Sequence, residues 1–302
     1  VLTNLMTAQI AESNAGNQLS TTETSSDLAG YGAGAEALTA MQAVGVQVNG
    51  YLSNAQTVSA QLSTQDTALN EVANSATTAT QAITQAIASG NGTTLMQALQ
   101  NAFSTAVGGL NTTFNGEYLL SGGLSTTQPV TAANLSDLTA APSIASLFQN
   151  GQLQTTTQVD QNTTVNTGML ASTVGTPLFQ ALKTIEAYDQ GPNGPFGATL
   201  TTVQLTFLSS QITTFSSVQT GLNNIVGENG LSENEVTNAQ NDLSQRQTLL
   251  QNLIGNVTNA DLAQATTNLQ QAQLSIQAAA RVFQTLNDSS LLNSLSSPAP
   301  IS

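Results

Sequence analysis

The run MQAVGVQVNGYLSNAQTVSAQLSTQDTALNEVANSATTATQAITQA, Met41 to Ala86, decides the fold class. Taken at alternating steps of three and four it reads Met41, Val44, Val48, Tyr51, Ala55, Val58, Leu62, Gln65, Leu69, Val72, Ala76, Ala79, Ile83 and Ala86, and thirteen of these fourteen are apolar or aromatic. That spacing puts them on one stripe of an α-helix. A stripe held for about six heptads is the mark of a coiled-coil or long-bundle seam rather than of a globular surface helix. Ser89 to Gly92, SGNG, stops the helix, and a second is expected from Thr93 or Thr94 as N-cap, using Leu95, Leu99, Ala102, Ala106 and Leu110.

The far end of the chain repeats the behaviour. Ser232 and Glu235 read as a capping box, after which Val236, Ala239, Leu243, Arg246, Leu250, Leu253, Val257 and Ala260 keep the three-four step. A second register, Leu262, Ala265, Leu269, Ala272, Ile276, Ala279, Phe283 and Leu286, follows near NADLA, so one long helix that changes its partner face is expected. Arg246 and Gln65 are the polar members of the two stripes. Arg246 reads either as a snorkelling or salt-bridged edge residue or as a register selector.

Between these arms the period changes. Gly151 to Gly168 alternates, with Leu153, Thr155, Thr157, Val159, Thr163, Val165 and Thr167 along it, and reads as strands. Ser143 to Asn150 predicts a short helical turn, Thr176 with Pro177 a helix start, Gly191 to Gly197 a turn, and Leu200 to Val226 a helix closed by GENG. The segment NTTFNGEYLLSGG, Asn111 to Gly123, reads as a joint: Gly116, Gly122 and Gly123 permit turns while Phe114 and Tyr118 supply packing anchors.

Composition narrows the chemistry. Three basic residues against seventeen acidic ones give a formal charge of −14, which offers phosphates no cationic footprint, so no nucleic-acid partner is expected. The chain has no Cys, His or Trp, which removes thiolate and imidazole chemistry and nitrogen- or sulfur-ligated metals. No stretch is apolar for the roughly 18 residues a membrane helix needs, so no membrane insertion is expected. The chain begins with Val1 rather than Met, which suggests a processed or truncated start.

The carboxylates were the remaining route to catalysis. Glu228, Glu233, Glu235 and Asp242 do not match a calcium loop and read as charges placed at a helix N-terminus. A distant pair such as Asp27 and Glu117 could serve glycoside hydrolysis only if the fold brought them together. Gly30 to Gly34, GYGAG, lacks the lysine and preceding strand of a phosphate cradle and reads as a bend. No enzyme activity and no cofactor are expected.

Four stretches resemble the flagellin family, and within it the hook–filament junction branch (hook-associated protein 3) and short flagellins. They are LSTTETSSDLAG (Leu19 to Gly30), LNTTFNGEYLLSGG (Leu110 to Gly123), QVDQNTTVNTGMLAS with PLFQALKTIEAYD, and the end NADLAQATTNLQQAQLSIQAAARVFQTLNDSSLLNSL. The second is the most specific match. The resemblance implies an extracellular structural subunit of the flagellum, exported without a cleaved signal, that self-associates and meets other flagellar subunits or hook-associated proteins, with an export chaperone as a further partner. Its terminal helices would pair as an inner coiled coil.

The expected fold is thus mainly α with a small β-rich insert (α+β): an elongated helical rod or coiled-coil bundle from residues 1–123 and 170–302, with a variable outer domain at 124–169. The expected assembly seam is Val44, Val48, Leu62, Leu69, Val72, Ile83, Leu243, Leu253, Leu262, Leu269, Ile276, Phe283 and Leu286, the first stripe and the last burying against each other and against neighbouring subunits. The rod–insert joint is Phe114, Gly116, Tyr118, Gly122 and Gly123. The alternative is a cell-surface flagellin homologue whose insert binds an extracellular polysaccharide.

Overall fold

The computed structural model describes residues 2–295, with side chains through Asp288; Leu291, Leu292 and Leu295, which carry part of the resemblance at the C-terminal end, lie outside the described side chains. The chain is mainly α. Its helices are α1 (Leu2–Thr21), α2 (Ala35–Ser89), α3 (Leu95–Leu110), α4 (Leu135–Ala140), α5 (Ala171–Asp189), α6 (Thr202–Thr258) and α7 (Leu262–Leu295). Two antiparallel hairpins complete it: β1 (Thr113–Phe114) with β2 (Glu117–Tyr118), and β3 (Thr156–Asp160) with β4 (Thr163–Asn166). The chain divides into two compact units, Val1–Val48 with Gln245–Ser302, and Asn49–Ser244.

The second unit holds the main core. From Ala55 to Ala86 every member of the α2 stripe is buried, Gln65 included. α3 adds Leu95, Leu99, Ala102, Phe103, Ala106 and Leu110, all buried, at the spacing that presents one face. Phe103 and Phe148 both lie against Phe179 of α5, with ring centroids 5.0 and 5.3 Å apart, which ties α3 to α5. Val130, Leu135, Leu138 and Ile144, from the segment 124–169, belong to the same hydrophobic cluster.

The β3–β4 hairpin turns its buried Val159 and Val165 inward, with Thr157 opposite Val165. Two α2 side chains one heptad apart hold it: the Asn54 amide donates to the Gln158 carbonyl (2.6 Å) and the Gln61 amide to the Thr167 carbonyl (3.2 Å). The helical period of α2 therefore sets where the hairpin lies.

Three local expectations are corrected. First, α6 runs through GENG and through Ser232 and Glu235, so there is neither a stop at Gly227 nor a capping box. The reason is tertiary: Asn229, fully buried, bonds Leu62 and Gln65 of α2, and Leu222, Val236, Ala239 and Leu243 are buried on either side of it. Burial outweighs the roughly 1 kcal/mol that each interior glycine costs. Glu228, Glu233, Glu235 and Asp242 consequently sit mid-helix, not at a positive N-terminus.

Second, α5 begins at Ala171 rather than at Thr176, and Pro177 lies inside it. No side chain of its N-cap residue, Leu170, closes the first turn. Instead the Ala171 N–H donates to the Leu120 carbonyl (2.8 Å) and the Ser172 N–H to Asn150 Oδ1 (3.0 Å). These partners come from distant sequence, which a local signal does not report. Third, the C-terminal arm is two helices, not one. The break at Asn259–Asp261 is held by a backbone bridge between Glu23 and Asn259 and by the Thr24 N–H donating to the Thr258 carbonyl (2.7 Å).

At α3 the cap position is Thr94, as expected, but its hydroxyl makes no cap bond; Asn91 Oδ1 accepts from the Thr93 N–H (2.9 Å) and starts the turn. The GYGAG bend is a 3-10 turn, Leu28–Gly34, capped by Asp27, whose Oδ1 accepts from the Gly30 N–H (2.9 Å), with Gly32 at φ 53°.

Candidate assembly interface

In the first unit, α7 packs on α1. The buried positions are alanines: Ala8 and Ala15 from α1, Ala265 and Ala272 from α7. Each pair is one heptad apart, so two small-residue seams meet and the helices approach closely. A groove of about 860 Å³ runs along them, lined by Asn4, Asn14, Asn268, Gln271 and Ser275 beside the alanines. The signal for α1 lay in the sequence as Leu5, Ala8, Glu12, Ala15 and Leu19, a three-four step short enough to be overlooked. The expected pairing of the Leu262–Leu286 stripe with the α2 stripe is corrected in this sense: the partner the structure gives α7 is α1. The buried part of α2 meets α6.

Several large side chains of α1 and α7 face outward. On α1, Leu2, Met6 and Ile10 recur every fourth residue and are 70, 56 and 61% exposed. On α7, Leu274, Val282 and Phe283 are exposed, Phe283 to 65%. Two helices whose fully buried residues, among those described, are alanines and which display Leu, Met, Ile, Val and Phe present exposed apolar faces. Among the expected seam residues, Leu253, Leu262, Phe283 and Leu286 are exposed, Leu269 and Ile276 half-buried, Val44 exposed and Val48 buried.

The other expected seam residues, Leu62, Leu69, Val72, Ile83 and Leu243, are buried inside the second unit by the chain's own core. There α2 and α6 are joined by side-chain amides. Gln65 Nε2 donates to Asn229 Oδ1 (2.8 Å), Asn229 Nδ2 to the Leu62 carbonyl (3.1 Å), Gln219 Nε2 to Thr77 Oγ1 (2.6 Å), and Gln240 Nε2 to the Ala55 carbonyl (3.0 Å). Gln65 Oε1 is buried without a partner. Glu233, which accepts a long bond from Asn229 (3.5 Å), has its carboxyl pushed above the usual range by desolvation and by the charge of Asp66. Arg246 is exposed.

At residues 111–123, the expected joint, several chain segments cross. Asn115 (φ 52°) and Gly116 (φ 84°) form the two-residue turn of the β1–β2 hairpin, with Phe114 opposite Glu117 and Thr113 opposite Tyr118. Two successive left-handed residues fit the twist of a hairpin, and Asn-Gly is the dipeptide that adopts them most cheaply; that dipeptide was the missed signal for these strands. Phe114 packs against the core. The Tyr118 N–H donates to the Ser125 carbonyl (2.8 Å), and the buried Ser121 carbonyl accepts from the Gly151 N–H (2.8 Å). Gly122 is required: at φ 60°, a Cβ there would lie 2.6 Å from both the Leu153 carbonyl oxygen and Leu170 Cδ2. Gly123 meets no such demand.

Asp27 and Glu117 each make a local hydrogen bond. Asp27 caps its turn in the first unit, and Glu117, in the second, accepts from Ser125 Oγ (3.2 Å). Among the described residues no group of three His, Cys, Asp or Glu side chains could hold a metal, and no helix is long and apolar enough to cross a membrane.

Comparison with known proteins agrees with this architecture. Residues 1–125 match the family model of the bacterial flagellin N-terminal helical region. Among solved structures, one described as a flagellar hook-associated protein from Vibrio parahaemolyticus aligns over 74% of this chain and 97% of its own, with a TM-score of 0.59 at 14% identity. FlgL from Bacillus cereus aligns over 72% and 98%, with a TM-score of 0.53 at 18% identity. At such identities the likeness is one of fold. No curated protein matches by sequence. The comparisons thus give residues 1–125 a flagellin N-terminal helical region and the chain a fold shared with a hook-associated protein and with FlgL.

Proposed function

We propose that the chain is a flagellin-like structural subunit of the bacterial flagellum and that it enters its polymer through the outer faces of α1 and α7. The observation that carries the reading is the inversion of side-chain size on those helices. The fully buried described residues of α1 and α7 are alanines, while Leu2, Met6, Ile10, Leu274, Val282 and Phe283 are exposed. Fully burying a side chain such as Leu or Phe contributes about 1.5–3 kcal/mol, so a few of them against neighbouring subunits suffice to drive association. The buried stripes of α2 and α6 act differently: they hold the subunit's own core. The role is structural, in an extracellular appendage whose neighbours are other copies or other flagellar subunits.

Ile10→Asp combined with Phe283→Asp tests the reading. Both side chains are exposed, so the isolated chain should keep its stability within about 0.5 kcal/mol, read as an unchanged urea midpoint. Sedimentation and electron microscopy should show loss of polymer. Normal polymer from the double variant would refute the proposal.

The likeness in fold to a hook-associated protein supports a position at the hook end of the filament. Immunogold labelling of the chain in cells is expected to mark the hook tip; label spread along the filament would move the subunit there.

A further inference from the structure

The sequence contains six Asn-Gly pairs, at 49–50, 91–92, 115–116, 150–151, 193–194 and 229–230. In such a pair the glycine nitrogen can attack the asparagine side-chain carbonyl carbon, because glycine carries no side chain to shield it or to restrict the rotation required. The fold separates the six. Those at 49–50 and 229–230 lie inside α2 and α6, where the glycine N–H is part of the helix ladder, and Asn229 is fully buried with its amide bonded to α2.

The three loop pairs at 91–92, 150–151 and 193–194 are also held. The Gly92 N–H donates to the Gly197 carbonyl (2.8 Å), that of Gly151 to Ser121 (2.8 Å), and that of Gly194 to Gly191 (3.0 Å). Asn150 is pinned further, its Oδ1 accepting from the Ser172 N–H (3.0 Å) and its Nδ2 donating to Ser172 Oγ (3.0 Å). At 115–116 none of these restraints operates. Asn115 is exposed, its side chain has no partner among the described residues, and the Gly116 N–H makes no hydrogen bond there. The space is open, since a Cβ at Gly116 would meet nothing within 4 Å.

We infer that Asn115 is a site of spontaneous deamidation, set apart from the other five pairs by the fold. The Gly116 nitrogen loses its proton to hydroxide and forms a bond to Cγ of Asn115. The bond from Cγ to the side-chain nitrogen breaks, and ammonia leaves. Water opens the resulting succinimide at either carbonyl, giving aspartate or isoaspartate. The sum is one water in and one ammonia out, with no oxidant or cofactor. Attack requires Asn115 to rotate out of its left-handed conformation, and the paired strands that hold the turn are two residues long on each side. Opening of that short hairpin therefore sets the rate. An isoaspartate would insert one more backbone carbon between Phe114 and Glu117 and break their pairing, in the segment that leads α3 into the joint.

The test is peptide mapping of the full chain aged in mildly alkaline buffer, folded and urea-unfolded side by side. Deamidation is read from the mass gain that exchanging NH2 for OH brings, and isoaspartate from methylation by protein isoaspartyl methyltransferase. In the folded chain the peptide holding Asn115 should gain first, with a rate that rises with pH. The other five should be slowed far more by folding than Asn115 is. Asn115→Gln should abolish the early gain. If another Asn-Gly pair reacts first, or if folding protects Asn115 as strongly as it protects Asn229, the inference is overturned; both readings come from the unmodified sequence and do not depend on how the variant folds.

Discussion

Two adjacent glycines of α3 meet opposite surroundings. A Cβ on Gly109 would lie 2.7 Å from the Ala68 carbonyl oxygen and 3.0 Å from Val72 Cγ2, so α2 and α3 touch through the missing side chain. A Cβ on Gly108 would meet nothing within 4 Å. Helix propensity favours alanine over glycine by about 1 kcal/mol at both. Gly108→Ala should therefore stabilise the chain by about that amount, whereas Gly109→Ala should destabilise it by about 1–3 kcal/mol through overpacking. Urea unfolding of the two variants decides it, and equal shifts would contradict the close approach.

Glu233 adds a pH-dependent contribution at the same scale. Its carboxyl is raised by desolvation and then by Asp66, so the folded chain holds that proton to higher pH than the unfolded chain does. The sign follows: this group's contribution is fully present below the ordinary carboxylate range and is lost as pH rises through the raised value. Glu233→Gln should flatten the fall in stability as pH rises above the ordinary carboxylate range, and should leave the chain more stable than wild type once wild-type Glu233 is ionised. A steeper fall in the variant would reverse the assignment. The buried amides nearby are less forgiving. Asn229→Ala removes the donor to Leu62 and the acceptor for Gln65, and should cost about 1–3 kcal/mol in the same assay.

At the scale of elements, period was legible and termini were not. The α2 stripe is buried from Ala55 onward and α3 appears where expected, because burial of an apolar face depends only on spacing along one helix. The strand alternation of Gly151 to Gly168 yields β3 and β4 for the same reason. The stop at GENG failed because what carries α6 past Gly227 and Gly230 is Asn229 bonding to a helix far away in sequence. The α5 start failed because Leu120 and Asn150 supply its missing cap. For the candidate interface, the sequence listed apolar positions without distinguishing those that the chain buries itself, such as Leu69, from those it leaves exposed, such as Phe283. That division depends on which helix is the neighbour. Because a Cβ at Gly227 meets nothing within 4 Å, Gly227→Ala should strengthen α6 by about 1 kcal/mol, read as a higher urea midpoint.

For the whole molecule, the two units differ in what secures them. Among the described residues the largest fully buried side chains, including Phe103, Phe179 and Phe215, lie in the second unit, and Leu38 is the exception. The first unit relies on an alanine seam between α1 and α7, and a buried alanine removes little apolar area from water, so the hydrophobic stabilisation per turn of helix is small there. Local opening free energies should follow, low in 2–48 and 245–295 and high in 49–244. Native-state hydrogen exchange on the isolated full chain should find slow amides concentrated in α3, α5 and the buried stretch of α2, with α1 and α7 exchanging by much smaller openings. Polymer formation covers Leu2, Ile10 and Phe283 in the proposed assembly and adds stabilisation where the monomer has least, so the same α1 and α7 amides should become protected in the polymer while those of the second unit change little. Uniform protection in the monomer would show that the alanine seam holds as firmly as the aromatic core. Protection gained mainly in the second unit would instead place the assembly contacts on its surface and remove α1 and α7 from that role.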